Sequence, residues 1–249
     1  MAKPKGPFII KGTLGGLSFY DSVFGPIVRT KGGPTKQQIK KSPAYASVRR
    51  NNSEFANAAS AGKVLRQGMR ALLTHIDDHR LVWRVTQLMV QLKNLDSHSE
   101  WGQRVVGKGL LSEAGQHLLK NLDFNSNAPL KTLLKCDYRI DPHHRLHLPD
   151  FVPVRDLKFP KGASQVVMKS ALLQFDPEGK KTTLTESNTV RLAMNRKSNR
   201  VLLAPDPNRT TGGTVIQLLL ICFLDENNPS ALPTRNKYNG LGVVGVKNG

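Results

Sequence analysis

Three stretches of this sequence carry residue types that do chemistry when the fold brings them together. Residues 102–108 read Gly-Gln-Arg-Val-Val-Gly-Lys, close to a loop whose glycine amides and lysine cradle phosphate oxygens. Gly109 stands where the magnesium-holding Ser or Thr belongs, and the polar run 96–101 makes a poor buried strand before it. Without strand, loop and helix in that order, phosphate binding is not expected here. Asp150 followed by Asp156-Leu157-Lys158 has the look of a metal-dependent nuclease pattern, in which carboxylates converge on a shared ion. Five residues separate the two acids and Pro153 interrupts them, which favours a proline-rich connector.

The histidines form the third set. His75 and His79 flank Asp77-Asp78, and His143, His144 and His147 lie close to Asp141 and Cys136. Zinc accepts such ligands, but no paired spacing organises them. In an extended segment His143, Arg145 and His147 share one face, a solvated or anion-facing strand. No metal and no cofactor is expected. No Gly-x-Ser-x-Gly elbow occurs, and Cys222 sits inside an apolar run where a thiol is inert. Catalytic residues are therefore not assigned, and the chain reads as non-enzymatic, with a metal-dependent nuclease as the alternative that its basicity keeps in view.

Charge is the stronger signal. The chain of 249 residues has 37 Lys+Arg against 18 Asp+Glu, a net charge of +19. Residues 1–70 hold 13 of those bases and only two acids, Asp21 and Glu54, whereas residues 71–150 balance 10 bases against 9 acids. A localised basic surface attracts polyanions, nucleic acid above all. Lys36, Lys40, Lys41, Arg49, Arg50, Lys63, Arg66 and Arg70 are the expected phosphate contacts. On a helix, Lys63, Arg66 and Arg70 fall in one arc opposite Leu65, Met69 and Leu72. The sequence does not separate DNA from RNA.

Elements must position those bases. Residues 8–31 read as a glycine-broken β-hairpin, which is marginal alone and needs a surface or a neighbouring subunit to lie on. Ser42-Pro43 starts a helix, with Phe55, Ala58, Leu65, Met69 and Leu72 as its apolar stripe. Leu81, Val85, Leu88, Leu92 and Leu95 make the seam of a second helix, packed on the first as an antiparallel hairpin. Ser112 caps a third, running to Asn121. Five strand patterns follow at 164–175, 180–186, 201–204, 214–224 and 240–246, separated by turn clusters.

The motifs at residues 11–16, 29–33, Arg49-Arg50-Asn51 with Glu54-Phe55, and 237–241 resemble a family of uncharacterised Bacteroidota proteins. That resemblance implies a bacterial cytoplasmic origin and no particular activity. The start Met-Ala-Lys-Pro-Lys-Gly-Pro precedes only three apolar residues, too few for a signal peptide, and no apolar run is long enough to span a bilayer. Two cysteines make no disulfide framework.

The reading is an α+β chain in three parts. A basic glycine-rich hairpin arm covers 1–35, a helical region 36–135, and an antiparallel β-sandwich 136–249. It is expected to bind nucleic acid through backbone phosphates in the cytoplasm, without membrane or small-molecule partner. The alternative is a structural protein that self-assembles into a particle or filament, the arm reaching onto a neighbour; a homo-oligomer is expected, though a simple binder freed of nucleic acid would be monomeric or dimeric.

Overall fold

The computed structural model describes residues 10–23, 25–30, 32–206, 213–225 and 235–248. It divides into two compact units, Met1–Arg50 and Asn51–Gly249. In the first, β1 (Gly12–Leu14), β2 (Leu17–Ser22) and β3 (Gly25–Thr30) form an antiparallel meander. Three strands replace the expected two. Gly15 and Gly16, at φ of 54° and 81°, make the tight turn that pairs Leu14 with Leu17, so these glycines end one strand and begin the next. The pairs Leu14–Leu17 and Phe19–Val28 lie on one face, while Ser18, Tyr20 and Arg29 occupy the other. No described side chain between 10 and 50 is buried.

A short helix unseen in the sequence pattern follows. α1 (Lys36–Lys41) is held by a capping box: Gln38 N donates to Thr35 Oγ1 at 3.2 Å and Thr35 N to Gln38 Oε1 at 2.7 Å. Its single apolar residue, Ile39, leaves no periodicity to detect. Ser42-Pro43 opens a 3₁₀ turn (Pro43–Tyr45) that runs into α2 (Ala46–Gly68), and the Ser42 side chain makes no capping bond.

In the second unit α2 packs antiparallel on α4 (Leu81–Asn94). Glu54 meets Lys93, and a Cβ on Gly62 would lie 3.3 Å from both Val85 and Met89. Ala58, Ala61 and Leu65 of α2 and Val85, Leu88 and Leu92 of α4 are buried in the same core. Phe55 is not part of the stripe. It stands 56% exposed, and its neighbour Glu54 takes the buried position because three donors satisfy its carboxylate. α2 stops at Gly68, where a Cβ would fall 2.6 Å from the Thr182 side chain, and α3 (Arg70–Leu73) makes one further turn. Three short helices complete the layer: α5 (Val106–Leu110), α6 (Glu113–Lys120) and α7 (Leu130–Leu133). Ser112 caps α6 through Gly115 N at 3.0 Å.

The remainder is strand apart from the single turn α8 (Pro153–Asp156). β4 (Arg139–Ile140), β5 (Leu146–Phe151) and β8 (Asn199–Leu203) form a small antiparallel sheet in the order β4-β5-β8. β6 (Ala163–Asp176), β7 (Lys181–Ala193), β9 (Thr214–Asp225) and β10 (Gly240–Asn248) form a larger one, ordered β10-β9-β6-β7. The larger sheet is covered on both faces. Val167, Leu173, Phe175, Ile216, Leu218 and Cys222 join the helical seam in one core. Val166, Met168, Leu219, Ile221 and Phe223 pack on Leu146, Leu148, Val201 and Leu203 of the small sheet. This double burial is why residues 218–224 form a continuous apolar run.

The class is α+β with antiparallel sheets, and the second unit is layered helix, sheet, sheet. In that unit α2, α4, α5 and α6 share one hydrophobic core with β6, β9 and β10. Among the described residues, no helix is long and apolar enough to cross a membrane.

Candidate polyanion-binding surface

Acidic side chains decide how much of the positive charge is left uncancelled. Glu54 is fully buried at the centre of a network. Its carboxylate accepts from Arg104 Nε at 2.8 Å, Arg104 Nη2 at 2.9 Å, Gly102 N at 2.7 Å and Lys93 Nζ. The Arg104 bonds, helped by Lys93 and Gly102, outweigh burial and hold its pKa at about 2. Asp78 and Asp96 are buried too. Burial alone would raise both carboxyls. Ser126, Arg80 and Arg84 bring Asp78 to about 2, and donors from Ser99, Val105 and His98 bring Asp96 to about 2.

This network accounts for the loop that resembles a phosphate cradle. Gly102 N binds Glu54, Val105 N binds Asp96 at 3.0 Å, Gly107 N binds Glu178 at 2.8 Å, and Lys108 Nζ binds Ser99 Oγ at 2.8 Å. Donors that a phosphate would use are held by the chain's own oxygens. Gly109 is required by packing, since a Cβ there would sit 1.9 Å from the Leu92 carbonyl oxygen.

The carboxylates of the nuclease-like pattern do not converge. Asp156 is buried and accepts from Val152 N at 2.7 Å and from Arg155 Nε at 2.7 Å, and the Arg155 bond leads the causes that lower its pKa. Asp150 is exposed and offers its backbone oxygen to Arg155. Asp141 gathers His143 N, Arg145 N, Arg145 Nε and, at 3.1 Å, His147 Nε2. His75 uses its carbonyl oxygen to receive the side-chain amide of Asn239 at 2.9 Å, while His79 is exposed. Among the described residues no three His, Cys, Asp or Glu side chains are grouped to hold a metal ion. Burial pushes the Cys136 thiol up to about 11 and that of Cys222 to about 12, so neither is a ready nucleophile.

The eight expected phosphate contacts divide by environment. Lys36, Lys40, Lys41 and Arg50 are exposed in the first unit; Lys63 and Arg70 are exposed in the second. Arg49 has a different task. Its Nη1 donates to the carbonyls of Ile39 and Ser42, both at 2.8 Å, and ties down the C-terminal end of α1. Arg66 is half-buried, its Nη1 sealed from solvent without a hydrogen-bond partner, and burial lowers its pKa. Lys63, Arg66 and Arg70 thus do not present three equivalent charges.

Two further concave surfaces escaped the sequence reading. A cleft of about 470 Å³ is lined by His117, Lys120, Lys131, Lys135 and Tyr138, together with Asp123 and Asp137. A groove of about 610 Å³ on the outer face of the small sheet is lined by Arg139, His147, Pro149, Arg200 and Leu202, beside Asp141. The expected extended segment 143–147 is shorter in the structure: residues 142 and 143 turn and only His147 lies on β5, and the pairing that brings β8 beside it is long-range and has no local trace. No family model matches the chain, and neither a curated protein nor a solved structure matches it.

Proposed function

We propose that this chain is a non-enzymatic nucleic-acid-binding protein of the cytoplasm that grips backbone phosphates. One observation carries the reading. Of the two acids in residues 1–70, Asp21 pairs with Lys11 at 2.6 Å and Glu54 is buried inside its own network. Lys36, Lys40, Lys41, Lys63 and Arg70 are exposed and, among the described residues, have almost no acid of residues 1–70 to cancel them. Point charges on Lys36, Lys40 and Lys41, and separately on Lys63 and Arg70, suit phosphate contact that ignores sequence.

Salt dependence tests it. On duplex DNA, log K should fall linearly with log salt, and Lys36→Glu/Lys40→Glu/Lys41→Glu should reduce the slope by about 2.7. Lys63→Glu/Arg70→Glu should reduce it by about 1.8. Unchanged slopes in both variants would remove these residues from the interface.

A second reading, self-assembly of a structural protein, is favoured by the meander. Leu14 is 66% and Leu17 39% exposed on one face of a sheet that buries no side chain. Such a sheet gains stability by lying on another surface, and a neighbouring copy would supply one. Size-exclusion chromatography in high salt tests this: a large species should persist, and removal of residues 1–34 should release a small one.

A further inference from the structure

The outer face of the small sheet combines features that a merely solvated strand has no use for. Leu146 and Leu148 point into the core, so His147 and Pro149 point outward. Arg139 pairs with His147, and His147 with Leu202, which places these three in one row across β4, β5 and β8. Two strand spacings put the ends of that row about 10 Å apart. Arg200 lies on the same face as Leu202, two residues back along β8. Leu202 is 41% exposed, and with Pro149 it gives the groove an apolar floor between Arg139 and Arg200.

Charge complementarity narrows the occupant. The lining holds one carboxylate, Asp141, and that group is committed to Arg145, His143 N and His147. Neither Arg139 nor Arg200 forms an ion pair among the described residues, so the rim is cationic. A duplex keeps its bases stacked inside and offers only phosphates to such a rim. A single strand offers both phosphates and free ring faces, and the floor can take a ring face.

We propose that this groove is a second contact surface, selective for single-stranded nucleic acid, with a base against Leu202 and Pro149 and phosphates on Arg139 and Arg200. It rests on the reading that the chain binds nucleic acid. It is separate from Lys63 and Arg70, to which the proposed function gives phosphate contacts that suit duplex and single strand alike.

The test uses the full chain, a labelled oligothymidylate and a duplex of equal length, read by fluorescence anisotropy. Arg139→Glu/Arg200→Glu should weaken single-strand binding about tenfold or more and lower its salt slope by about 1.4. Duplex binding should stay within about twofold. Arg139→Lys/Arg200→Lys should restore the slope, and Leu202→Ser should weaken the single strand alone. All three positions are surface residues, and an unchanged melting temperature confirms intact folding. Equal losses on both probes, or no loss on either, overturn the groove while leaving the basic surface standing. Failure of the unmodified protein to bind either probe overturns both readings.

Discussion

Glu54 and Arg104 stand fifty residues apart in the chain and meet through two parallel hydrogen bonds, Nε to Oε1 at 2.8 Å and Nη2 to Oε2 at 2.9 Å. This fork closes the irregular stretch between α4 and α5 onto α2, and Lys93 completes it from α4. Removing the carboxylate would leave Lys93 buried beside Arg104 without compensation. Glu54→Ala should therefore cost about 3–5 kcal/mol in urea denaturation. A loss below about 1 kcal/mol would mean that water replaces the carboxylate and that the fork is dispensable.

Acid should unfold the protein through the same groups. Glu54, Asp78 and Asp96 are held at about 2 in the folded state, against ordinary values of 4.5 for Glu and 3.8 for Asp. A depressed carboxylate adds stability that is fully present above its ordinary value and is lost as pH falls through the folded one. Asp123, raised mainly by burial, works in the opposite sense but is a single group. The melting temperature should hold steady above pH 4.5 and fall steeply between 4.5 and 2. A flat profile across that window would show that the three carboxylates are not bonded as described.

Gly109 separates a packing requirement from a phosphate-binding one. Gly109→Ser completes the Gly-x-x-x-x-Gly-Lys-Ser spelling, yet its Cβ would overlap the Leu92 carbonyl where α5 lies against the end of α4. The variant should lose more than about 2 kcal/mol of stability and gain no affinity for a nucleoside triphosphate. Gly107→Ala meets only the flexible carboxylate of Glu178 and should cost less. Calorimetry and a nucleotide titration check both. Tight nucleotide binding by the Ser variant would revive the phosphate-loop reading.

What the sequence made legible follows the range of the forces involved. The α4 seam, the Ser112 cap and five strands are set by period and turn residues over windows of a dozen residues or so, and the structure has all of them. Residues 218–224 were readable as strand, but which faces they bury depends on α4 on one side and β5 with β8 on the other. Glu54 was unreadable. A Glu beside a Phe on a helix suggests the Phe goes inside, and only donors from residues 93, 102 and 104 reverse that. Arg49 looks like a phosphate ligand in the sequence for the same reason: its carbonyl partners, Ile39 and Ser42, lie in and at the end of α1, whose capping box at Thr35 and Gln38 lacks an apolar stripe to announce it. The groove needs β8 beside β5, a pairing across more than fifty residues.

Arg66 gives the sharpest contrast within the basic arc. Helical spacing places it between Lys63 and Arg70 as an equal partner, but it is half-buried and its Nη1 is sealed without a partner over α2. A Cβ on Gly62 would lie 3.4 Å from that nitrogen, so the guanidinium lies back along its own helix. A buried donor without an acceptor is destabilising by about 1–3 kcal/mol, whereas a methionine of similar length fills the same space without that penalty. Arg66→Met should therefore leave stability unchanged or raise it, and should reduce duplex affinity less than Lys63→Met does. Equal losses of affinity from the two substitutions would mean that Arg66 swings out to meet phosphate, and the arc would then act as the three-charge face that its spacing suggests.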